Sequence, residues 1–213
     1  PKLDDANKAG TSESERCTII LTEGDSAKTT AISGLSVVGR DYYGVFPLRG
    51  KLLNTRTATF SQISANQEII YLKQILGLQI GEKYKTKTGL RYGKILIMTD
   101  QDTDGFHIKS LLVNFIGTTW PNLLKLDFVS SLLTPIVKVN YRGTQLQFYN
   151  TPDYEAWKNS ENYKKWTIKY YKGLGTSTSV EAKDYFKKLK VLKYQSETET
   201  DLNFLDLAFN KTQ

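Results

Sequence analysis

The chain has 213 residues, a net charge of +7 and 39% hydrophobic residues, with 13 Tyr, 9 Phe and 3 Trp. That composition buries a real core and argues against disorder, and no apolar run approaches the roughly 20 residues of a membrane helix. One cysteine, Cys17, excludes an internal disulfide and fits a reducing compartment, while the positive balance favours a polyanionic partner, nucleic acid first.

The chain opens at Pro1 without Met and is expected to be a piece of something longer. Residues 1–16 are polar and read as a linker or arm. Cys17–Thr22 is a short β-branched run ending at Glu23-Gly24, which predicts a buried strand. Asp25 and Ser26 are good N-caps for a helix over Ala27–Val38. A second strand is expected at Gly44–Leu48, followed by the basic turn Arg49-Gly50-Lys51, then one helix over 62–76. Lys94–Thr99 is continuous in apolar residues, as in a parallel strand covered on both faces, and a helix is expected from about His107 to Thr118. Strand and helix alternating to this point predict an α/β fold with a doubly wound parallel sheet. Beyond it, Thr134–Val139 and Gln145–Tyr149 form an expected antiparallel hairpin through Arg142-Gly143. A short helix near 152–159, a strand at 166–171 and a lysine-rich helix over Ser179–Leu192 complete the pattern.

The chemistry concentrates at strand ends. Asp100, Asp102 and Asp104 alternate just past an apolar strand, and in an extended segment such residues point to one side, roughly 7 Å apart. Gathered carboxylates repel, and a hard divalent cation relieves the repulsion. An ordinary solvated acidic turn explains the same triplet. A calcium-binding EF-hand does not, because its twelfth position would be Leu111 rather than Glu and a strand precedes the loop. Glu23 also ends an apolar strand. If the two strands are neighbours, Glu23 and Asp100 converge where ligands collect in open α/β sheets.

The residues Glu23-Gly24-Asp25-Ser26-Ala27 and Asp100-Gln101-Asp102-Thr103-Asp104-Gly105 resemble the glutamate and Asp-x-Asp motifs of TOPRIM domains. Pro47–Asn54 and Tyr170–Ser177 are similar to two further stretches of eukaryotic-type DNA topoisomerase II (type IIA). The likeness runs from Lys2 to about Phe209. Two positions depart from it: Phe106 stands where the family usually has Ser, and Ser110 where Gly is common.

The resemblance implies a TOPRIM Rossmann-like parallel sheet flanked by helices, with an added antiparallel hairpin and a C-terminal helical segment. Its core would span 17–135 and its continuation 136–200, with 201–213 starting a connection to a winged-helix domain. It implies Mg2+ held by Glu23, Asp100, Asp102 and Asp104, with Mn2+ or Ca2+ able to substitute in binding. Glu23 would also be the general acid and base. Arg49, Lys51, Asn54, Lys172, Asp25 and Ser26 would face DNA, although a solvated basic loop or helix capping accounts for the same residues. The implied partners are double-stranded DNA, winged-helix and tower domains, and the second subunit of a homodimer, with no membrane. ATP would be used only by a domain outside this chain. The implied place is the nucleus, or a viral factory or the cytoplasm for a viral protein. The family's nucleophile is a Tyr after Arg in the winged-helix domain; Arg91-Tyr92 imitates that pair in the wrong module. A TOPRIM nuclease or primase, or a basic nucleic-acid-binding α/β domain without catalysis, would share parts of this pattern.

Overall fold

A computed structural model describes residues 2–160, 162–198, 201 and 208–209. Four apolar segments form parallel strands: β1 (Thr18–Glu23), β2 (Tyr43–Leu48), β3 (Lys94–Met98) and β4 (Val129–Leu132). A fifth strand, β8 (Val191–Tyr194), runs antiparallel along β4, and the order is β2-β1-β3-β4-β8. Alternate side chains leave a strand on opposite faces, so each strand feeds two cores. Ile19, Leu21, Phe46, Ile95 and Ile97 pack on one side and Ile20, Val45, Leu96 and Met98 on the other. This double burial is why β1 and β3 are continuous in hydrophobic residues.

The first face is covered by α3 (Gln67–Leu76) and α4 (Thr103–Thr119), and the second by α1 (Gly24–Val38) and α7 (Ser179–Lys188). Several boundaries differ from expectation. The cap of α1 is Glu23, so Asp25 and Ser26 lie inside the first turn rather than capping it. The helix expected over 62–76 is divided into α2 (Phe60–Ala65) and α3 at Asn66, whose side chain accepts from the Ile69 N–H. α4 begins at Thr103, ahead of His107, because Asp102 caps it by accepting from the Gly105 N–H at 2.8 Å. It stops before α5 (Pro121–Leu124). The lysine-rich helix ends at Lys188, where Leu189 takes a left-handed conformation, and the remainder becomes β8.

The hairpin β5 (Val137–Tyr141) and β6 (Thr144–Phe148) turns through Arg142 and Gly143, both with positive φ. Together with β7 (Thr167–Tyr170) it makes a second sheet of order β6-β5-β7. α6 (Thr151–Ser160) closes it over Val137, Val139, Tyr154, Phe148, Trp157 and Trp166.

The amino-terminal segment is laid against β2. Asp4 exchanges two backbone hydrogen bonds with Val45, Asn7 and Lys8 donate to the carbonyls of Arg40 and Asp41, and Ala6 is buried. Most of 201–213 lies outside the described residues.

Candidate metal and nucleic-acid site

In the main sheet Thr22 pairs with Met98, so the chains leaving β1 and β3 emerge side by side at the carboxyl end. There the Asp100 N–H donates to Glu23 Oε2 at 3.3 Å. A third segment arrives from the second sheet: past β7, the Leu174 N–H donates to Asp100 Oδ1 at 2.6 Å. Gly173 makes that approach possible, since a Cβ there would overlap the Asp100 carboxylate.

Burial, reinforced by the charges of Asp100, Asp102 and Asp104, raises the Glu23 carboxyl above its ordinary pKa against the opposing Asp100 N–H. Glu23 thus combines half-burial with an excess of negative charge around it. Asp102 is exposed and keeps one oxygen beyond its cap bond. The alternation read for the triplet is interrupted, because Gln101 and Asp102 lie in a bend rather than in an extended strand. Asp104 sits in the first turn of α4 and pairs with Lys51 at 2.7 Å, which lowers its pKa.

The basic turns gather around this end. Arg49 and Lys51 are exposed, and the Arg49 N–H is held by Glu68 at 3.0 Å. Lys172 is exposed beside Gly173. Asp25 is exposed and paired with Lys2, and Ser26 is exposed on the same turn. A cavity of about 130 Å³ separates the two turns, lined among others by Lys2, Asp25, Pro47 and Arg49. Asn54 differs from these. Its amide donates to the Phe209 carbonyl at 2.9 Å, and its oxygen accepts from Asn114 at 3.2 Å and from the Arg56 N–H at 3.2 Å. The structure therefore ties the half-buried Asn54 into an internal network, while Arg49, Lys51 and Lys172 are exposed. Tyr92 is fully buried, its hydroxyl engaged by Asp5 and by the Ala6 N–H, as a core tyrosine and not an attacking group.

The donor chemistry suits a hard divalent cation. Among the described residues no three His, Cys, Asp or Glu side chains form a ready cage. Mg2+ needs none, because it is commonly held by one or two carboxylates with water and substrate phosphates completing the shell. Glu23, Asp100 and the second oxygen of Asp102 fit that requirement.

Sequence reasoning missed three contributors: the Leu174 N–H, Glu181 and Lys109. Glu181 closes the capping box of α7 with Thr178 and accepts from Lys169 and Tyr171, anchoring the strand end that precedes Gly173. The spacing Thr178-x-x-Glu181 was its available signal.

A parallel sheet with a glutamate and an Asp-x-Asp loop meeting at its carboxyl end defines a Toprim module. The chain belongs to the Toprim family: the Toprim domain matches residues 18–130 and the C-terminal associated domain of TOPRIM matches 132–213. Within that family its relatives are DNA topoisomerases. It is 56% identical to DNA topoisomerase 2-alpha of Cricetulus griseus, over 100% of this chain and 14% of that protein. It is 55% identical to DNA topoisomerase 2 of Drosophila melanogaster, over 99% of this chain and 15% of that protein. The crystal structure of the Plasmodium falciparum topoisomerase II DNA-binding, cleavage and re-ligation domain superposes with a TM-score of 0.94 at 52% identity. That match covers 99% of this chain and 29% of the Plasmodium chain. The chain thus spans about one seventh of the curated relatives it matches. Among the described residues no helix is long and apolar enough to cross a membrane.

Proposed function

We propose that this chain is the Mg2+-binding module of the DNA cleavage and re-ligation core of an ATP-dependent type II topoisomerase. Such an enzyme breaks both strands of a duplex, passes a second duplex through the gap and reseals it. The meeting of Glu23 and Asp100 across two neighbouring strands carries this reading. Glu23, Asp100 and Asp102 would hold the cation, with Asp104 in support through Lys51. When bound, the cation supplies charge neutralisation at the scissile phosphodiester and at the departing 3′-oxygen.

This chain's own residues do the rest. Glu23 lies beside Asp100 at the proposed cation site, which suits it to give a proton to the departing 3′-oxygen and take it back on resealing. The Leu174 N–H fixes the Asp100 carboxylate, and Gly173 lets the two segments touch. Arg49, Lys51 and Lys172 offer exposed charge to DNA phosphates, with Asp25 and Ser26 on the adjoining turn. The attacking tyrosine, the ATP site and the second subunit belong to the longer enzyme, and the nucleus is its expected compartment.

Glu23→Gln in the longer enzyme tests the assignment. DNA cleavage should fall by about 100-fold or more, while duplex binding measured by filter retention stays near that of the parent. Full cleavage at ordinary magnesium would remove Glu23 from the mechanism.

A further inference from the structure

Lysine is among the residues least often buried, yet Lys109 on α4 is only 3% exposed. Its ammonium donates to an amide rather than to a carboxylate: Nζ lies 3.2 Å from Gln101 Oε1. The ammonium also lies over the exposed Phe106 ring, 4.8 Å from its centroid. Gln101 is held at its other end as well, since its Nε2 donates to the Leu132 carbonyl at the end of β4, at 3.3 Å. Both ends of this one amide are therefore occupied, one by a helix and one by the sheet.

Gln101 stands between Asp100 and Asp102, where the chain is not yet helical. Clamping the Gln101 amide to α4 and to the end of β4 therefore restrains the backbone from which both flanking aspartates project. The charges agree with this placement. Burial pulls the Lys109 pKa down, while Asp102, Glu23 and Asp100 oppose that pull through space.

We propose that Lys109 is a positioning residue for the acidic loop, acting through Gln101 to fix the directions in which Asp100 and Asp102 present their carboxylates to a divalent cation. The proposal rests on the reading of the acidic cluster as a cation site. Lys109 touches neither the cation nor the DNA in this role. It sets the geometry of the groups that do, as supporting side chains around metal sites commonly do.

The test is a titration of the full chain with Mn2+, free ion being followed by electron paramagnetic resonance. Thermal unfolding without metal is recorded alongside. Lys109→Met and Gln101→Ala should each weaken Mn2+ binding by about tenfold, and the double variant by no more than either alone. Lys109→Arg, which can still donate to Gln101, should restore most of the affinity. A charge acting only at a distance predicts the opposite sign, because removing it would tighten binding; that result overturns the proposal. So does unchanged affinity, whatever the unfolding temperature does, and so do losses that add in the double variant. Should Lys109→Met fail to fold, Gln101→Ala and Lys109→Arg decide on the same criteria. Asp100→Asn separates the two levels: if it leaves Mn2+ binding unaltered, the cation-site reading fails. If it weakens binding while Lys109→Met and Gln101→Ala do not, only the positioning role falls.

Discussion

At the amino-terminal end of the main sheet, Asp127 lies 2.9 Å from Lys193 and 3.6 Å from Lys94. The hydrogen bond from Lys193, outweighing partial burial, holds its carboxyl below the ordinary pKa. At the carboxyl end, burial first and then the charges of Asp100, Asp102 and Asp104 displace the Glu23 pKa the other way, upward. Both ends of one sheet carry acids: the first answers Asp127 with two lysines, whereas at the second Lys51 answers Asp104 and, among the described residues, no lysine or arginine forms an ion pair with Glu23, Asp100 or Asp102. A structural ion pair is complete when the chain folds; on the proposed reading of the other end, charge is left there for a cation to meet.

The contrast can be broken most decisively at Asp100. Asp100→Asn keeps an oxygen for the Leu174 N–H but removes one negative charge from the cluster. Mn2+ affinity should fall by roughly 100-fold or more, while unfolding without cation shifts to equal or higher temperature because a repulsion is relieved. A fall in unfolding temperature there would erase the distinction between the two ends.

Glu181 sharpens it, because it is a third acid that is fully answered. Burial alone would raise its pKa, but hydrogen bonds from Tyr171, the Thr178 N–H and Lys169, with the Lys138 charge, lower it to about 2. Since the folded value lies below the ordinary 4.5, its stabilisation is complete above that pH and is lost as pH falls toward about 2. Glu181→Gln should cost about 2 kcal/mol at neutral pH by denaturant unfolding, with variant and parent converging in acid. The smallest effect is expected at the amino end. Asp127→Asn breaks a half-exposed pair and should cost about 0.5 kcal/mol, less in high salt, without moving Mn2+ affinity.

What the sequence showed and hid follows from burial. β1 and β3 were legible because a strand covered on both faces has to be apolar throughout. Each run closes on a buried threonine, Thr22 or Thr99, and the acid that follows it, Glu23 or Asp100, stands half-buried at the sheet's carboxyl end. β4 was hidden because Ser130 and Ser131 interrupt its apolar run, Ser130 donating to the Ile95 carbonyl at 3.1 Å. β8 was hidden because Lys193 continues the lysine pattern of α7, and nothing before Leu189 announces its left-handed turn. Asp104 stands on a helix rather than in an extended segment for a local reason: Asp102 caps α4, and capping turns the backbone out of the extended form after it. Lys109 carried no signal. A lysine in a helix reads as solvated, and only the fold brings Gln101 and Phe106 around it.

The amino-terminal arm has a consequence of its own. β2 is a border strand, and Asp4, by bonding Val45 through both of its backbone groups, occupies hydrogen-bonding positions that a border strand otherwise offers to any extended peptide. Ala6 in turn sits beneath the Tyr92 hydroxyl. The first residues therefore act as a seal. Trimmed back to Cys17, the molecule would keep every acid of the cleft and expose a rim prone to self-association.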